Sequence, residues 1–169
     1  DLNTARRESG CFGTQTATLS AGGSTGSTVT NVESYNGASW TEIADLNTGG
    51  YGRGAAQIGT TTAGLVFGGH FPPFDNAETW NGTSWTEVAD LNTARGWAGG
   101  AGTSTDAIAI AGYHHPPGAL NIAETWDGSS WTETADLNTA RFYGGWAGSS
   151  SSDAMLSGGQ PLTAGLTCL

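Results

Sequence analysis

The chain of 169 residues contains no lysine, and its five arginines stand against fifteen aspartates and glutamates, which gives a formal net charge of -10 at pH 7. A surface this acidic repels phosphate groups and anionic lipid, so we predict neither nucleic acid nor membrane as a partner. The absence of lysine removes sites for trypsin-like cleavage and for lysine-directed tagging. This favours a protein that works outside a cytoplasm.

Long apolar runs and a signal segment are missing as well. No run approaches the roughly 20 residues of a membrane span, and no basic stretch leads into an apolar one as in a secretory signal. The sequence begins at Asp1 rather than at methionine. We interpret it as a processed product, a fragment or an excised domain.

Cysteine is scarce: Cys11 and Cys168 are the two in the sequence. Two cysteines cannot form a disulfide framework, and neither has a metal-ligand neighbour at zinc-finger spacing. One interpretation is two buried free thiols, because unpaired cysteine is usually buried. The alternative is a disulfide that clasps the first repeat to the last.

Glycine is frequent, with 28 residues, and proline sparse, with 5, but an internal repeat gives this composition an order. Asp-Leu-Asn-Thr begins at Asp1, Asp45, Asp90 and Asp136, at spacings of 44, 45 and 46 residues. A period in this range is typical of a solenoid, a propeller or an array. We predict a single propeller segment, residues 1–169, divided into repeats 1–44, 45–89, 90–135 and 136–169, of which the last is incomplete.

Each repeat contains four short segments that favour strands. A small glycine-rich segment is followed by an apolar one that ends in Gly-Gly, as at Gly22-Gly23; repeat three departs from this with Gly112-Tyr113. The third segment ends in Tyr or Trp and passes through Asn-Gly or Asp-Gly into a fourth with Ser-Trp-Thr-Glu. Such dipeptides predict β-hairpins with type I′ turns. Four strands in a repeat of this length predict a propeller blade.

The order of arginine, small strand, apolar strand with Gly-Gly, Tyr or Trp and a second Trp resembles the Kelch repeat over nearly the whole chain. The resemblance implies an all-β fold, a Kelch-like β-propeller of four-stranded antiparallel blades. Asp127-Gly-Ser-Ser-Trp131 also resembles the Asp-box of sialidases, although the Gly-Gly and aromatic spacing favour Kelch.

A second resemblance concerns role. The segment Glu-Thr-Trp-Asn-Gly-Thr-Ser-Trp-Thr-Glu-Val, together with Asp-Leu-Asn-Thr-Ala-Arg, is similar to repeats in predicted virion structural proteins of marine bacteriophages. It implies a tail-fibre or appendage component, located in a virion or otherwise extracellular.

The repeats add up to about three and a half blades, an incomplete ring. Repeat four has its first two strands but lacks the Asn-Gly hairpin and the Trp strand. An open ring leaves unpaired strand edges. We therefore expect missing blades of the same protein or other copies of the chain to close the ring, with the fragment interpretation first. Two such chains would give seven blades, and a monomer mass in solution would exclude that ring.

If the strands alternate in direction, the loops after strands two and four emerge on one face, which we call the loop face. Arg6, Arg95 and Arg141 would form a ring of guanidinium groups there, whereas repeat two has Gly49-Gly50 instead and Arg53 displaced. Either each arginine pairs with a carboxylate of its own or the next blade, or it binds a partner's carboxylate.

Two loops of this face are stiffened by paired prolines and carry aromatic or imidazole groups that are suited to contacting sugars or proteins. The alternative is that Phe71 and Phe74 cap the blade core. The partner-binding candidates in these loops are His70, Phe71, Phe74, His114 and His115.

We predict no metal site and no cofactor. His114 and His115 are adjacent, which directs their side chains apart, and no acidic residue stands at a ligand spacing from them. The Asp-x-Asn motifs lack a full calcium loop and are better explained by hydrogen bonds to turn amides. Trp97 and Trp146 replace small residues in the first strand and are predicted to plug the centre of the ring.

The sequence offers no specific set of catalytic residues. A sialidase-like glycosidase, with Arg6, Arg95 and Arg141 beside Tyr51 or Tyr113, stays a remote alternative. We predict a non-enzymatic structural or interaction module, a phage appendage or fibre component with a receptor-binding loop face that contacts host polysaccharide or virion proteins. The alternatives are a carbohydrate-binding or a protein-binding Kelch propeller.

Overall fold

A computed structural model describes residues 1–70, 74–114, 116 and 118–161. The described residues form sixteen strands and no helix. None of the described segments is a helix long and apolar enough to cross a membrane. The predicted all-β class is confirmed.

Repeats one to three each form one four-stranded antiparallel sheet in which neighbours in sequence are neighbours in space. The first sheet contains β1 (Gly10–Thr14), β2 (Ala17–Ala21), β3 (Val32–Tyr35) and β4 (Trp40–Ile43). The second contains β5 (Gly54–Ala55), β6 (Gly64–Gly69), β7 (Phe74–Trp80) and β8 (Trp85–Val88). The third contains β9 (Gly99–Gly102), β10 (Ala107–Ile110), β13 (Ala123–Trp126) and β14 (Trp131–Thr134).

Two further hairpins complete the described strands. One, β11 (Tyr113–His114) with β12 (Gly118–Ala119), lies in the connection between β10 and β13. The other, β15 (Phe142–Ser150) with β16 (Asp153–Gln160), is the described part of repeat four, and we call it the fourth hairpin. Three four-stranded sheets and this hairpin are consistent with a blade arrangement like that of a β-propeller.

The Asn-Gly and Asp-Gly hairpins form where they are predicted, but not as type I′ turns. In the first hairpin, Tyr35 pairs with Trp40, so that four residues connect the strands. Gly37 has a φ of 92°, whereas Asn36 is not among the residues with positive φ. Instead, Asn36 Oδ1 accepts hydrogen bonds from the backbone N–H of residues 38 and 39. One glycine and one side-chain acceptor thus replace the two left-handed residues of a type I′ turn.

Apolar side chains of adjacent sheets interlock to form the core. Phe12 and Leu19 of the first sheet pack against Trp80 and Trp85 of the second. A Cβ on Gly64 would lie 2.1 Å from the Phe12 ring, which explains why a small residue begins β6. The second and third sheets, and the third sheet and the fourth hairpin, form the two other clusters.

The paired tryptophans lie between sheets, as predicted. The ring centroids of Trp80 and Trp85 are 5.3 Å apart, and those of Trp126 and Trp131 are also 5.3 Å apart. Trp85 Nε1 donates to the carbonyl of Ala44, at the end of the preceding sheet, and Trp131 Nε1 donates to that of Ala89. Trp80 Nε1 and Trp126 Nε1 donate instead to carbonyls of their own repeats, those of Thr61 and Ser104. The second tryptophan of each pair therefore ties its repeat to the one before it.

Candidate functional site

Arg6 and Arg95 are buried in ion pairs within their own repeats. Arg6 Nη1 lies 2.6 Å from Glu33 Oε1, and Arg95 Nη2 lies 2.7 Å from Glu124 Oε1. Both arginine side chains are 0% exposed. Burial lowers the pKa of Arg95, and the charge of Glu124 opposes that shift. Of the two roles considered for these arginines, the structure shows the internal carboxylate pair, and both guanidinium groups are inaccessible to a partner.

The same glutamates also bind the Asp-Leu-Asn-Thr segment that begins their repeat. Glu124 accepts hydrogen bonds from the backbone N–H groups of Asn92 and Thr93 and from the Asn92 side-chain amide. Asn92 Nδ2 also donates to the carbonyl of Trp131. We call this arrangement, a third-strand glutamate that accepts the Asn and Thr amides of its own repeat, the buried-glutamate motif.

The motif recurs in the other two sheets. Glu33 accepts from the N–H groups of Asn3 and Thr4, and Glu78 accepts from those of Asn47 and Thr48. Burial alone would raise the pKa of Glu33, but these amides and the Arg6 guanidinium outweigh it, so that the pKa is lowered. The asparagine thus acts as a donor, whereas the sequence interpretation made it an acceptor for turn amides.

In repeat two the buried arginine is Arg53, which stands at a different sequence position and forms no ion pair with a described residue. Arg53 is 6% exposed, and its Nη2 donates to the carbonyl of Thr48. Burial lowers the pKa of Arg53, and the charge of Glu78 opposes that shift. A Cβ on Gly50 would lie 2.7 Å from Arg53 Nε. The absence of a side chain at Gly50 therefore leaves room for the guanidinium group of Arg53.

Arg141 differs from Arg6 and Arg95. It is half-buried, and its Nη1 and Nε donate to the carbonyls of Gly158 and Thr139. No ion pair of Arg141 is present within the described ranges.

The four repeats contribute equivalent residues to one pocket on the loop face. The residue two positions after the arginine, or after Gly50 in repeat two, has a left-handed backbone. Its φ is 57° at Glu8, 63° at Gly52, 51° at Trp97 and 57° at Tyr143. Non-glycine residues are rare in this region and concentrate at functional sites. These residues border a pocket of about 280 Å³, together with Ser9, Arg53, Ala98, Gly144 and Trp146.

Aromatic rings cluster beside this pocket. His70 stacks on Trp97, with centroids 3.7 Å apart, and Trp97 lies 5.0 Å from Tyr143. Trp97 Nε1 donates to Glu8 Oε2 at 2.9 Å, which ties repeat three to repeat one. We call these rings with Glu8 the loop-face aromatic site; its other rings are Tyr51, Tyr113 and Phe142.

The site is electrostatically coupled around Glu8. Burial lowers the pKa of His70, and the charge of Glu8 opposes that shift. Burial raises the pKa of Tyr143, and the charge of Glu8 raises it further. Near neutral pH, the His70 imidazole and the Tyr143 phenol are therefore both neutral beside the Glu8 carboxylate.

The remaining candidates are dispersed. His70 lies in the loop-face aromatic site, His114 is half-buried in β11, and Phe74 is half-buried at the start of β7. Trp97 and Trp146 both border the pocket on the loop face. Their predicted role in plugging the centre of a ring stays a prediction. The predictions for Phe71 and His115 fall outside the described residues.

Cys11 is an exposed free thiol, so its predicted burial is wrong. The position faces away from the second sheet, which Phe12 packs against. The alternative disulfide involves Cys168, which lies outside the described residues.

No group of three or more His, Cys, Asp or Glu that could hold a metal ion occurs among the described residues. Two of the repeated aspartates have protein partners instead: Asp45 Oδ2 accepts from the Thr30 hydroxyl, and Asp136 Oδ2 accepts from the Asn121 amide.

Comparison of the chain with protein-family models gives no match. Comparison with curated proteins gives no significant match either. Inference about function therefore rests on the geometry of the described residues and on the repeat pattern.

Proposed function

We propose that this chain is a non-enzymatic interaction module, a segment of a Kelch-like β-propeller that binds a saccharide at the loop-face aromatic site. The observation that carries the proposal is the convergence of Glu8, Gly52, Trp97 and Tyr143, at equivalent positions of four repeats, on one pocket. Three of these four are non-glycine residues, for which a left-handed backbone costs about 1–2 kcal/mol each, and such residues concentrate at functional sites.

The chemistry of the site suits a sugar. Tyr143, which is 53% exposed and lies 5.0 Å from Trp97, offers a flat apolar stacking surface. The Glu8 carboxylate is exposed and already accepts a hydrogen bond from the Trp97 indole, so it can also accept hydrogen bonds from sugar hydroxyls. The stacking of His70 on Trp97 and the Glu8–Trp97 bond hold the rings in place, so that little side-chain freedom is lost on binding.

Two observations favour binding over glycoside hydrolysis. Among the residues that border the pocket, Glu8 is the sole carboxylate, whereas most glycosidases use two. The sialidase alternative needs an arginine cluster, and the guanidinium groups of Arg6 and Arg95 are enclosed in ion pairs.

The setting we propose is a phage virion appendage or fibre that contacts host surface polysaccharide. It is supported by the acidic, lysine-free composition and by the near-identical repeats. Detection of the chain by mass spectrometry in purified phage particles would test this setting separately from sugar binding.

The test of binding is an array of bacterial surface polysaccharides probed with the native chain, a Tyr143→Ala variant and a Glu8→Gln variant. We expect each substitution to weaken binding by about tenfold or more, from the loss of a stacking face or of an acceptor. Ile58→Ser is the matched control, because Ile58 is 51% exposed and lies outside the pocket.

Equal binding by all four proteins would place the ligand elsewhere and reject the site. Absence of binding across the array would leave a structural role for the module. Turnover of the bound sugars would overturn the non-enzymatic assignment.

A further inference from the structure

The segment that leads into the fourth hairpin contains half of a buried-glutamate motif. Its repeat begins with Asp-Leu-Asn-Thr at Asp136 and continues to Arg141, as do the repeats of the first and third sheets. In those sheets the arginine and the two amides meet a glutamate on the third strand. Residues 142–169 contain no glutamate, so none of them can act as this acceptor.

The edge beside β16 is the place where such a strand would add. In the three complete sheets the second strand pairs with the first on one side and with the third on the other. Among the described residues, β16 pairs with β15 alone. Its residues are exposed or half-buried, whereas those of β6 and β10 are all buried.

The register of a strand added to β16 follows from the three four-stranded sheets. Ala109 of β10 stands opposite Glu124, and Ala107 stands opposite Trp126. The equivalent residues of β16 are Leu156 and Ala154, because Asp153 and Asp106 both end the turn between the first two strands of their repeats. A strand in this register brings its glutamate opposite Leu156, next to Arg141.

Arg141 is placed for this contact. Its Nη1 donates to the carbonyl of Gly158, in the same strand as Leu156. In the first sheet, Arg6 also donates to a second-strand carbonyl, through Nη2 to Ser20, while its Nη1 contacts Glu33. Ser20 stands opposite Glu33 and corresponds to Leu156, so the Arg141 contact lies two residues further along its strand. Arg141 thus makes the second-strand contact and has a guanidinium group that is not enclosed.

We propose that the edge of β16 that no other described strand pairs with binds a β-hairpin of the type Glu-Thr-Trp-(Asn or Asp)-Gly-x-Ser-Trp. The glutamate of this hairpin pairs with Arg141 and accepts hydrogen bonds from the backbone amides of Asn138 and Thr139. The occupant is a strand of this protein's own repeat chemistry, and main-chain pairing along β16 supplies the rest of the binding, as in other cases of strand addition. The proposal is independent of sugar binding at the loop-face aromatic site.

The test uses the full chain and a synthetic peptide with the sequence of residues 121–135, which contains Glu124 and both tryptophans of the third sheet. The control peptide carries Glu124→Gln. The protein variants are Arg141→Ala and, as a matched loss of one positive charge elsewhere, Arg7→Ala. Affinity is measured by anisotropy of labelled peptide, and hydrogen exchange reports which strand becomes protected.

We expect the native peptide to bind the native chain and the Arg7→Ala variant, with new protection of amides in β16. The Gln peptide and the Arg141→Ala variant should each lose about tenfold or more in affinity, and the two losses should not add, because they remove the same contact. Lack of binding, equal binding of both peptides, or protection confined to another strand would overturn the proposal. If Arg141→Ala fails to fold, the comparison of the two peptides on the native chain decides.

Discussion

The guanidinium group of Arg53 lies against the α-carbon of Gly50, so that a Cβ there would be 2.7 Å from Nε, 3.2 Å from Nη2 and 3.3 Å from Cζ. In repeats one and three the arginine itself occupies the position equivalent to Gly50. Gly50 and Arg53 therefore form a coupled pair: the arginine of repeat two stands three residues further along the chain than in repeats one and three, and glycine occupies the position that arginine has there.

This coupling predicts an exchange. Gly50→Ala should destabilise the chain by about 1–3 kcal/mol through overpacking, and Arg53→Ala by about 2–4 kcal/mol, because Glu78 keeps its buried charge. The double variant Gly50→Arg, Arg53→Ala restores the arrangement of repeats one and three, so it should be more stable than Arg53→Ala. Urea unfolding of the four proteins measures this, and a double variant less stable than both single ones would refute the coupling.

The ion pair of the third sheet predicts a large effect of a small change. Glu124→Gln keeps the shape of the side chain but leaves the Arg95 guanidinium, which is 0% exposed, without its counter-charge. We expect a loss of about 3–5 kcal/mol in the free energy of unfolding. Glu87→Gln is the control, because Glu87 is exposed in the Trp-Thr-Glu sequence of the second sheet and should change stability by less than about 0.5 kcal/mol.

The hairpin at Asp127 predicts a pH dependence. The hydroxyl of Ser129 and the N–H groups of Ser130 and Ser129 donate to this carboxylate and lower its pKa to about 2. A depressed pKa means that the contribution of the charged form is fully present above about pH 4, the usual aspartate value, and is lost as the pH falls through 2. An NMR titration should give a midpoint near 2, and a midpoint near 4 would contradict the turn geometry.

The same turn offers a chemical test. Asn36 and Asn81 accept hydrogen bonds from the equivalent backbone amides in the first and second sheets. Asp127→Asn should therefore retain the hairpin and lose only the stability that depends on the charge of the carboxylate. Asp127→Ala removes the acceptor altogether and should lower the stability of the chain further than Asp127→Asn does. Thermal unfolding at pH 7 and at pH 2 separates the two, since the native chain and Asp127→Asn should converge in acid.

The Gly-Gly positions predict two different costs for one substitution. Gly158 has a φ of 66°, and a Cβ added there would meet no atom within 4 Å, so Gly158→Ala should cost about 1 kcal/mol of backbone strain alone. Gly68 has a φ of 64°, but a Cβ there would lie 2.4 Å from the Arg95 carbonyl oxygen. Gly68→Ala should therefore cost more than about 2 kcal/mol. Equal unfolding free energies of the two variants would contradict this.

Strand placement could be predicted from the sequence because hairpin dipeptides and apolar segments recur at a fixed period. The sequence did not predict which two residues of repeat three correspond to the Gly-Gly pair of the other repeats. Residue type pointed to Gly112-Tyr113 as the departure from Gly-Gly, but Ala111 and Gly112 have φ values of 58° and 114°, matching 66° and 109° at Gly22 and Gly23. The backbone keeps the conformation there while the first residue changes from glycine to alanine.

The candidate site was predictable only in part. The sequence singled out His70 and Trp97 separately, and their stacking depends on a left-handed backbone at residue 97 that no local pattern indicates. Glu8 was missed, because one carboxylate among fifteen acidic residues carries no signal until the fold brings it to an indole 89 positions away. The glutamates of the third strands were missed because a charged residue in a short strand is usually exposed.

The buried-glutamate motif has a consequence for how a chain of this kind changes length over evolution. Its donors belong to the Asp-Leu-Asn-Thr that begins a repeat, and its acceptor lies before the Asp-Leu-Asn-Thr of the next repeat, as Asn92 and Glu124 show. A gene duplication that begins at this tetrapeptide therefore copies a complete buried-glutamate motif, and the new repeat packs against its neighbours through the recurring apolar faces. Repeats can be added or deleted as whole units, whereas a breakpoint elsewhere would separate a glutamate from its amides.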